Sequence, residues 1–523
     1  MNESPHRPNW LPPTVLTAVT VMAGVAAFSG LSVLGDPVAD FLAVSAIAVS
    51  GLLAWTYFDR GLTRRQRLSI SALLIAAPVV GLSFTDVGPM SALRDLFRRQ
   101  SEPTPFAGPP PKEFNHEYPQ SEIVPDLAKS GEHDWPGYLR DGTGRAATPV
   151  RFASDWKKNP PKLLWQHPLG GGAASPVVVG DFLVDFEQRG KDEVVACYEL
   201  RTGKECWEHR EEQYSYGAYT GPGPKATPVV ANGAVVTLGG QALLLCLEGS
   251  TGELRWKQEL FTKHKADAPG YGITASPAVV GDLVVAGIGG KNGSLVAYDL
   301  NSGELRWTSG TAPASYSSPM VATLAGTRQI VWFHQPGVVG FDVNDGRVLW
   351  SAPWNNGAGN NVCQPFCFST KDTADLDAVM ISAGDDAGCA AFAVERSGDG
   401  FTVKELWKNK NLKLKYSSAI RVRDMAVGFD ERLLAAIDLK TGERRWKHSG
   451  RFGYGQIVAN GDQLLIQAED GRIVLGVATD KGLVEKGEIQ SVLKQTWNAP
   501  ALSGDLLVIR NQETLAVYKL PTE

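Results

Sequence analysis

An all-β fold, an eight-bladed β-propeller preceded by three transmembrane α-helices, is predicted from three observations. First, the stretch LVAYDLNSGELRW at Leu295–Trp307 recurs in near-copy at Val195–Trp207, Leu244–Trp256, Val339–Trp350 and Ala435–Trp446. Second, eight strand starts follow Ser-Pro, Thr-Pro or similar steps, at Ser175, Thr227, Ser276, Ser318, Gln364, Ser417, Gly455 and Ala499. Third, three apolar segments precede the repeats, each close to the ~20 residues that cross a bilayer as a helix. A repeat of roughly 40–50 residues made of short strands is the signature of propeller blades.

Residues 1–13 form an N-terminus, followed by apolar helices over 14–34, 38–58 and 68–86. A cleaved leader would not be succeeded by two further such segments. The loop 59–67 holds Arg60, Arg64, Arg65 and Arg67. The positive-inside rule then puts this loop and the N-terminus in the cytoplasm, although Arg94, Arg98 and Arg99 pull the other way. The third helix would therefore deliver the rest of the chain to the periplasmic or extracytoplasmic side of a bacterial inner membrane. Residues 88–134 read as a linker, proline-rich from 100 onward, that spaces the next domain from the bilayer.

The propeller is expected over 135–523. In each repeat the first residues alternate as a strand, a Ser-Gly, Thr-Gly or Asp-Gly pair turns the chain, and a return strand ends in tryptophan. Glu199, Glu248, Asp299, Asp342 and Asp438 sit eight positions before that tryptophan, close enough to bond the turn. Trp165, Trp207, Trp256, Trp307, Trp350, Trp407 and Trp446 supply flat apolar slabs for the wedges between blades. The last unit stops after its third strand. Its missing fourth strand is predicted to be Leu163–Pro168, paired with Leu515–Leu520, which closes the ring and removes exposed edges. The fifth blade carries the acidic insertion Lys371–Asp377 and a longer hairpin. The seventh shows Glu485 or Lys486 where a tryptophan is expected.

The repeats AYDLNSGELRW and AIDLKTGERRW resemble the PQQ-enzyme repeat, Ala-x-Asp-x-x-Thr-Gly-x-x-x-Trp. Over 134–523 the chain resembles bacterial PQQ-like propeller repeat proteins, a superfamily of BamB-like scaffolds and quinoprotein dehydrogenases. Further matches are DWPGYLRDGTG, APASYSSPMVATLAGTRQIV, WKNKNLK followed by YSS, and the closing AVYKL. The BamB-like side implies an envelope scaffold without a cofactor. The dehydrogenase side implies PQQ and Ca²⁺ and oxidation of an alcohol or sugar. The chain departs from both: no two cysteines are adjacent, the dehydrogenases' Ca²⁺-binding Glu and Asn and catalytic Asp match no motif, and there is no lipobox cysteine.

Net charge is −5 and the basic residues do not cluster in the repeats, which argues against nucleic acid as a partner. Cys197 and Cys246 fall where other repeats have alanine and read as buried packing residues. Cys363, Cys367 and Cys389 allow buried thiols, a disulfide in an oxidising compartment, or a metal site completed by His334. GIGGKNGS at Gly287–Ser294 lacks the spacing of a phosphate loop and reads as a strand turn. Asp372, Asp375 and Asp377 lack the spacing of a calcium loop. The sequence shows no catalytic constellation.

Because first strands line a propeller's channel, residues at their start form a ring at one mouth. That ring would comprise Lys225, Tyr271, Thr274, Tyr316, Asn360, Asn361, Lys415, Tyr416, Tyr454, Trp497 and Asn498. Aromatics among amides and lysines suit a polar ligand such as a sugar or peptide segment, or a flat cofactor. The expected function is a membrane-anchored binding scaffold for envelope proteins or a polar ligand. A quinoprotein dehydrogenase and a saccharide sensor are the alternatives.

Overall fold

The computed structural model describes residues 111–523 apart from 130, 218–220, 355–360 and 372. The three apolar segments and the start of the linker lie outside the described residues. Among the described residues, no helix is long and apolar enough to cross a membrane.

Eight four-stranded antiparallel sheets make eight blades. Blades 1 to 7 cover 177–211, 229–259, 278–309, 320–353, 366–409, 420–451 and 456–490. Blade 8 takes three strands from 501–519 and its outermost strand from Lys162–Pro168. That strand runs antiparallel to Thr514–Lys519, with Leu163 opposite Tyr518 and Pro168 opposite Thr514. The ring is therefore sewn shut by a strand drawn from the N-terminal side. The middle strands are almost wholly buried, as in Gly293–Asp299 and Ala378–Ala383, because both sheet faces are covered by neighbouring blades.

The repeat's acidic residue holds the turn that follows it. Asp299 Oδ1 accepts the amides of Asn301 at 3.0 Å and Ser302 at 2.9 Å, and Asp438 Oδ1 accepts those of Lys440 and Thr441. The turn glycine answers to two constraints at once. Gly303 sits at φ +70°, and a Cβ there would lie 2.6 Å from the ring of Trp256 in the preceding blade. Gly203, Gly252, Gly346 and Gly442 repeat the arrangement against Trp165, Trp207, Trp307 and Trp407.

The seven tryptophans are 4–9 % exposed, which makes them wedge fillers rather than surface aromatics. Six of them donate the indole N–H to a backbone carbonyl of the next blade: Trp165 to Leu200, Trp207 to Gly249, Trp256 to Leu300, Trp307 to Val343, Trp407 to Leu439 and Trp446 to Thr479. Trp350 differs, turning back to Gln329 Oε1 of its own blade at 2.5 Å. The blade it faces is the fifth, whose ten-residue strands Gly388–Ser397 and Gly400–Asn409 run past the point where the other blades turn.

Blade 7 corrects the sequence reading. Strand register puts Gly487, not Glu485 or Lys486, at the tryptophan position: Gly487 faces Leu475 as Trp207 faces Cys197 and Trp446 faces Ala436. A Cβ at Gly487 would fall 2.6 Å from Trp156, which is 2 % exposed. The N-terminal arm thus lays an indole over the glycine and fills the wedge from outside the repeat.

That arm wraps the disc. Pro119 and Ser121 bond both sides of Glu205 on the outer strand of blade 1, at 2.8 Å each. Trp135 pairs with Val178 of blade 1, and the Pro136 carbonyl accepts the Val230 amide of blade 2. Gly142 packs on Gln364 of blade 5 and Gly144 on Ile420 of blade 6. Gly144 and Ala146 then bond Ala459 of blade 7. In eleven residues the segment 134–144 passes from blade 1 to blade 6, so it crosses the end of the central channel.

Candidate functional site

Antiparallel alternation decides what reaches each face. A first strand that starts at the mouth ends at the opposite face, and the second strand returns, so the turn between second and third strands also lies at the mouth. The Asp-x-x-Thr-Gly turns lie on the other face, where the arm crosses.

The inner edges of the first strands are tied blade to blade by hydroxyls. Ser175 N–H donates to Thr227 Oγ1, Thr227 N–H to Ser276 Oγ, Ser276 N–H to Ser318 Oγ, and Ala499 N–H to Ser175 Oγ, at 2.9–3.1 Å. Gln364 N–H donates likewise to Ser418 Oγ at 3.1 Å. Gln456 spans three blades, its amide donating to the carbonyls of Tyr416 and Trp497. The residues of the Ser-Pro and Thr-Pro steps therefore do more than start strands: they satisfy backbone groups that would otherwise face the channel.

Above this ring is a cavity of 640 Å³. Tyr138 of the arm lines it, its hydroxyl bonded to Ser418 and its pKa raised to about 12 by burial. The crossing segment thus closes the channel behind the cavity. Eight of the residues expected at the mouth line this one cavity: Lys225, Tyr271, Thr274, Tyr316, Lys415, Tyr416, Tyr454 and Trp497. Asn361 and Asn498 are instead buried in the blade junctions. Asn361 donates to the His334 carbonyl at 3.0 Å, and Asn498 to the Ala174 carbonyl at 2.7 Å. A short amide next to a strand start satisfies backbone more readily than it reaches the bore. Asn360 lies outside the described residues.

The aromatic wall is corrugated. Tyr271 and Tyr316 meet edge to face at 5.4 Å and 70°, and Tyr416 and Tyr454 at 5.0 Å and 77°. Thr274 donates to the Tyr316 carbonyl at 3.1 Å. Lys415 is ion-paired with Asp385, which raises its pKa. Arg432 lies 4.6 Å from the Tyr454 ring centroid. Glu469 accepts the Trp497 indole N–H at 2.8 Å and the Tyr454 amide at 3.0 Å. Asp385, Arg432 and Glu469 all sit on turns after second strands, and a reading confined to first strands missed them. Their signal was the same alternation applied once more.

Lys225 is different. It is 8 % exposed, its ammonium donates to the Gly223 carbonyl at 3.2 Å, and it forms no ion pair among the described residues. Burial lowers its pKa to about 8, against a small opposing pull from Glu193. The Glu193 carboxyl, itself pushed up by burial, is held by Gly240 N–H and Ser215 Oγ.

The cysteines stay out of the cavity. All six are free thiols. Cys363 and Cys389 share the core of blades 5 and 6, and burial raises their pKa values to about 12 and 11. Cys197 and Cys246 face Trp207 and Trp256 across the strand pair, the small position opposite the slab.

Comparison with known proteins agrees with this architecture. The family described as "Outer membrane protein assembly factor BamB" matches residues 191–448. An outer membrane protein assembly factor BamB from Burkholderia pseudomallei is 27 % identical over 297 residues, 48 % of this chain and 69 % of that protein. A quinohemoprotein alcohol dehydrogenase from Pseudomonas putida is 26 % identical over 199 residues, 36 % of this chain and 26 % of the enzyme. The solved structure of such an enzyme from Pseudomonas putida superposes with a TM-score of 0.55 at 15 % identity, covering 78 % of this chain and 83 % of that one. The chain is thus an eight-bladed β-propeller similar over part of its length to BamB and, over a shorter stretch, to a quinohemoprotein alcohol dehydrogenase, and the structural likeness is one of fold.

Proposed function

We propose that this chain is a binding propeller of the bacterial envelope, anchored in the inner membrane by its N-terminal helices, with the disc outside the cytoplasm. It acts as a scaffold that engages an envelope protein or a polar ligand at the cavity mouth. The observation that carries this reading is the state of the cavity's side chains. Lys415 is paired with Asp385, Glu469 is taken up by Trp497 and Tyr454, and no thiol lines the cavity among the described residues. Such groups are fixed for recognition, and among the described lining residues no nucleophile and base are set against one another. The similarity to an outer membrane protein assembly factor points the same way.

The alternative, a PQQ- and Ca²⁺-dependent dehydrogenase of alcohols or sugars, draws on the likeness to the Pseudomonas enzyme. The residues present do not fit that pair of groups. The tyrosine pairs stand at 70° and 77°, so neither pair makes a parallel slot for a planar quinone. The cavity carboxylates already have partners, so a calcium ion would have to displace Lys415 from Asp385 and the Trp497 and Tyr454 N–H groups from Glu469.

Crosslinking of the full chain in native membranes tests the proposal. The expected result is a discrete envelope partner whose recovery falls when Tyr416 or Lys415 is changed to alanine. Saturable quinone absorbance with PQQ and Ca²⁺, together with dye reduction by an alcohol or aldose, would replace the scaffold with the enzyme.

A further inference from the structure

The cavity is blind, aromatic-walled and carries an unbalanced positive charge. Its lining holds three cations, Lys225, Lys415 and Arg432, against two carboxylates, Asp385 and Glu469. Lys415 has its counter-ion and Arg432 lies over a ring, which leaves Lys225 as the group with no ion pair among the described residues; Glu193, the carboxylate that acts on it, lies beyond ion-pair distance and is held by Gly240 N–H and Ser215 Oγ. An ammonium 8 % exposed, with one hydrogen bond to a carbonyl, retains two N–H donors and a charge that burial leaves poorly solvated. A carboxylate brought to it would gain a charge-assisted bond in a site already sheltered from water.

The rest of the lining says what should carry that carboxylate. An extended peptide would need free backbone groups on the inner strands. Those N–H groups are already bonded to the hydroxyls of Thr227, Ser276, Ser318, Ser418 and Ser175. A flat aromatic acid would need a parallel slot, which the edge-to-face tyrosine pairs do not make. A puckered ring with hydroxyls suits both features: its C–H faces lie on differently tilted aromatic rings, and its hydroxyls meet the Lys415–Asp385 pair and Glu469 at the rim.

We propose that the blind cavity binds an acidic saccharide, with the sugar rings on the tyrosine wall and the carboxylate on Lys225. This rests on reading the chain as a binding propeller and names the class of ligand taken by its mouth.

The test titrates the purified full chain with two pairs of probes, glucuronate against glucose and N-acetylmuramate against N-acetylglucosamine, followed by ligand-observed NMR and by the change in intrinsic tryptophan fluorescence that is lost in Trp497→Phe. Each acid should bind about tenfold or more tightly than its neutral counterpart at pH 7. The preference should weaken above pH 8, as the ammonium loses its proton. Lys225→Met should abolish it and Lys225→Arg should retain part of it. Tyr416→Ala, at a 46 % exposed rim position, should weaken acid and neutral sugar alike. Equal binding of acid and neutral sugar, no binding of either acid up to ~20 mM, or tighter binding of quinoline-2-carboxylate or of a peptide C-terminus would each overturn the proposal. Recovery of an envelope partner alongside any of those results would leave the scaffold reading standing and sink only the saccharide.

Discussion

Replacing Trp156 with alanine should damage the ring more than its place outside the repeat suggests. The indole covers Gly487 at the one blade position that lacks its own tryptophan, and it belongs to the core shared by blades 7, 8 and 1. Burying such a side chain removes about 150–250 Å² from water, about 4–6 kcal/mol as a ceiling. Truncations of this kind cost about 3–5 kcal/mol. The indole nitrogen of Trp156 has no hydrogen-bond partner among the described residues, so no bond is lost on top. For a propeller of about 400 residues, with an unfolding entropy near 2 cal/mol/K per residue, this amounts to about 4–6 °C in Tm. Scanning calorimetry at one fixed rate reads it directly. A second arm sharpens the result: Gly487→Trp should be disruptive in the native background, where even a Cβ meets the Trp156 ring, yet recover part of the loss in the Trp156→Ala chain. A Trp156→Ala protein melting within about 1 °C of the parent, on the same entropy scale, would refute the substitution argument.

The turn glycines separate backbone strain from contact. Gly303→Ala and Gly281→Ala both force alanine to positive φ, but only Gly303 meets a ring, so it should lose about 1–3 kcal/mol more in denaturant titrations. Arg510 and Asp185 form a fully buried ion pair where blade 8 meets blade 1, with Arg510 Nη1 reaching both carboxylate oxygens at 2.6 and 2.7 Å. Arg510→Met should cost about 3–5 kcal/mol by stranding the carboxylate, and adding Asp185→Leu should restore part of it in the same assay, because the bonds the guanidinium also makes to the carbonyls of Phe186, Gly171 and Gly172 stay lost. Lys225 supplies a pH dependence. Below pH 8 both folded and unfolded chains hold its proton and the burial penalty is complete; between about 8 and the unperturbed value of 10.5 the unfolded chain binds more proton, so stability rises with pH. Lys225→Met should raise stability at pH 7 by up to about 3 kcal/mol and flatten that rise. Parallel slopes for parent and variant would remove the buried ammonium from the account.

Much of the wheel was legible because each blade states its own geometry locally. The Asp-x-x-Thr-Gly turn, the small residue opposite the slab and the tryptophan lie within one hairpin, and a hairpin's hydrogen bonds depend on near neighbours. The eight-blade count followed from repeating that unit. The mouth was half legible: residues at the starts of first strands could be numbered, but which of them face the bore depended on neighbours far along the chain. Asn361 and Asn498 turned to carbonyls of other segments, while Asp385, Arg432 and Glu469 arrived on turns that carry no motif.

The sequence by itself determined the repeating hairpin, the tryptophan wedge and the unfinished last blade, because each is encoded within a few dozen contiguous residues. Only the tertiary structure decided that 134–144 closes the channel, that Trp156 stands in for the tryptophan blade 7 lacks, and that Lys225 is buried with no ion pair among the described residues. Each of those joins residues tens to hundreds of positions apart. Such pairings leave no periodic trace, since what selects them is the space and charge left over once the ring has closed.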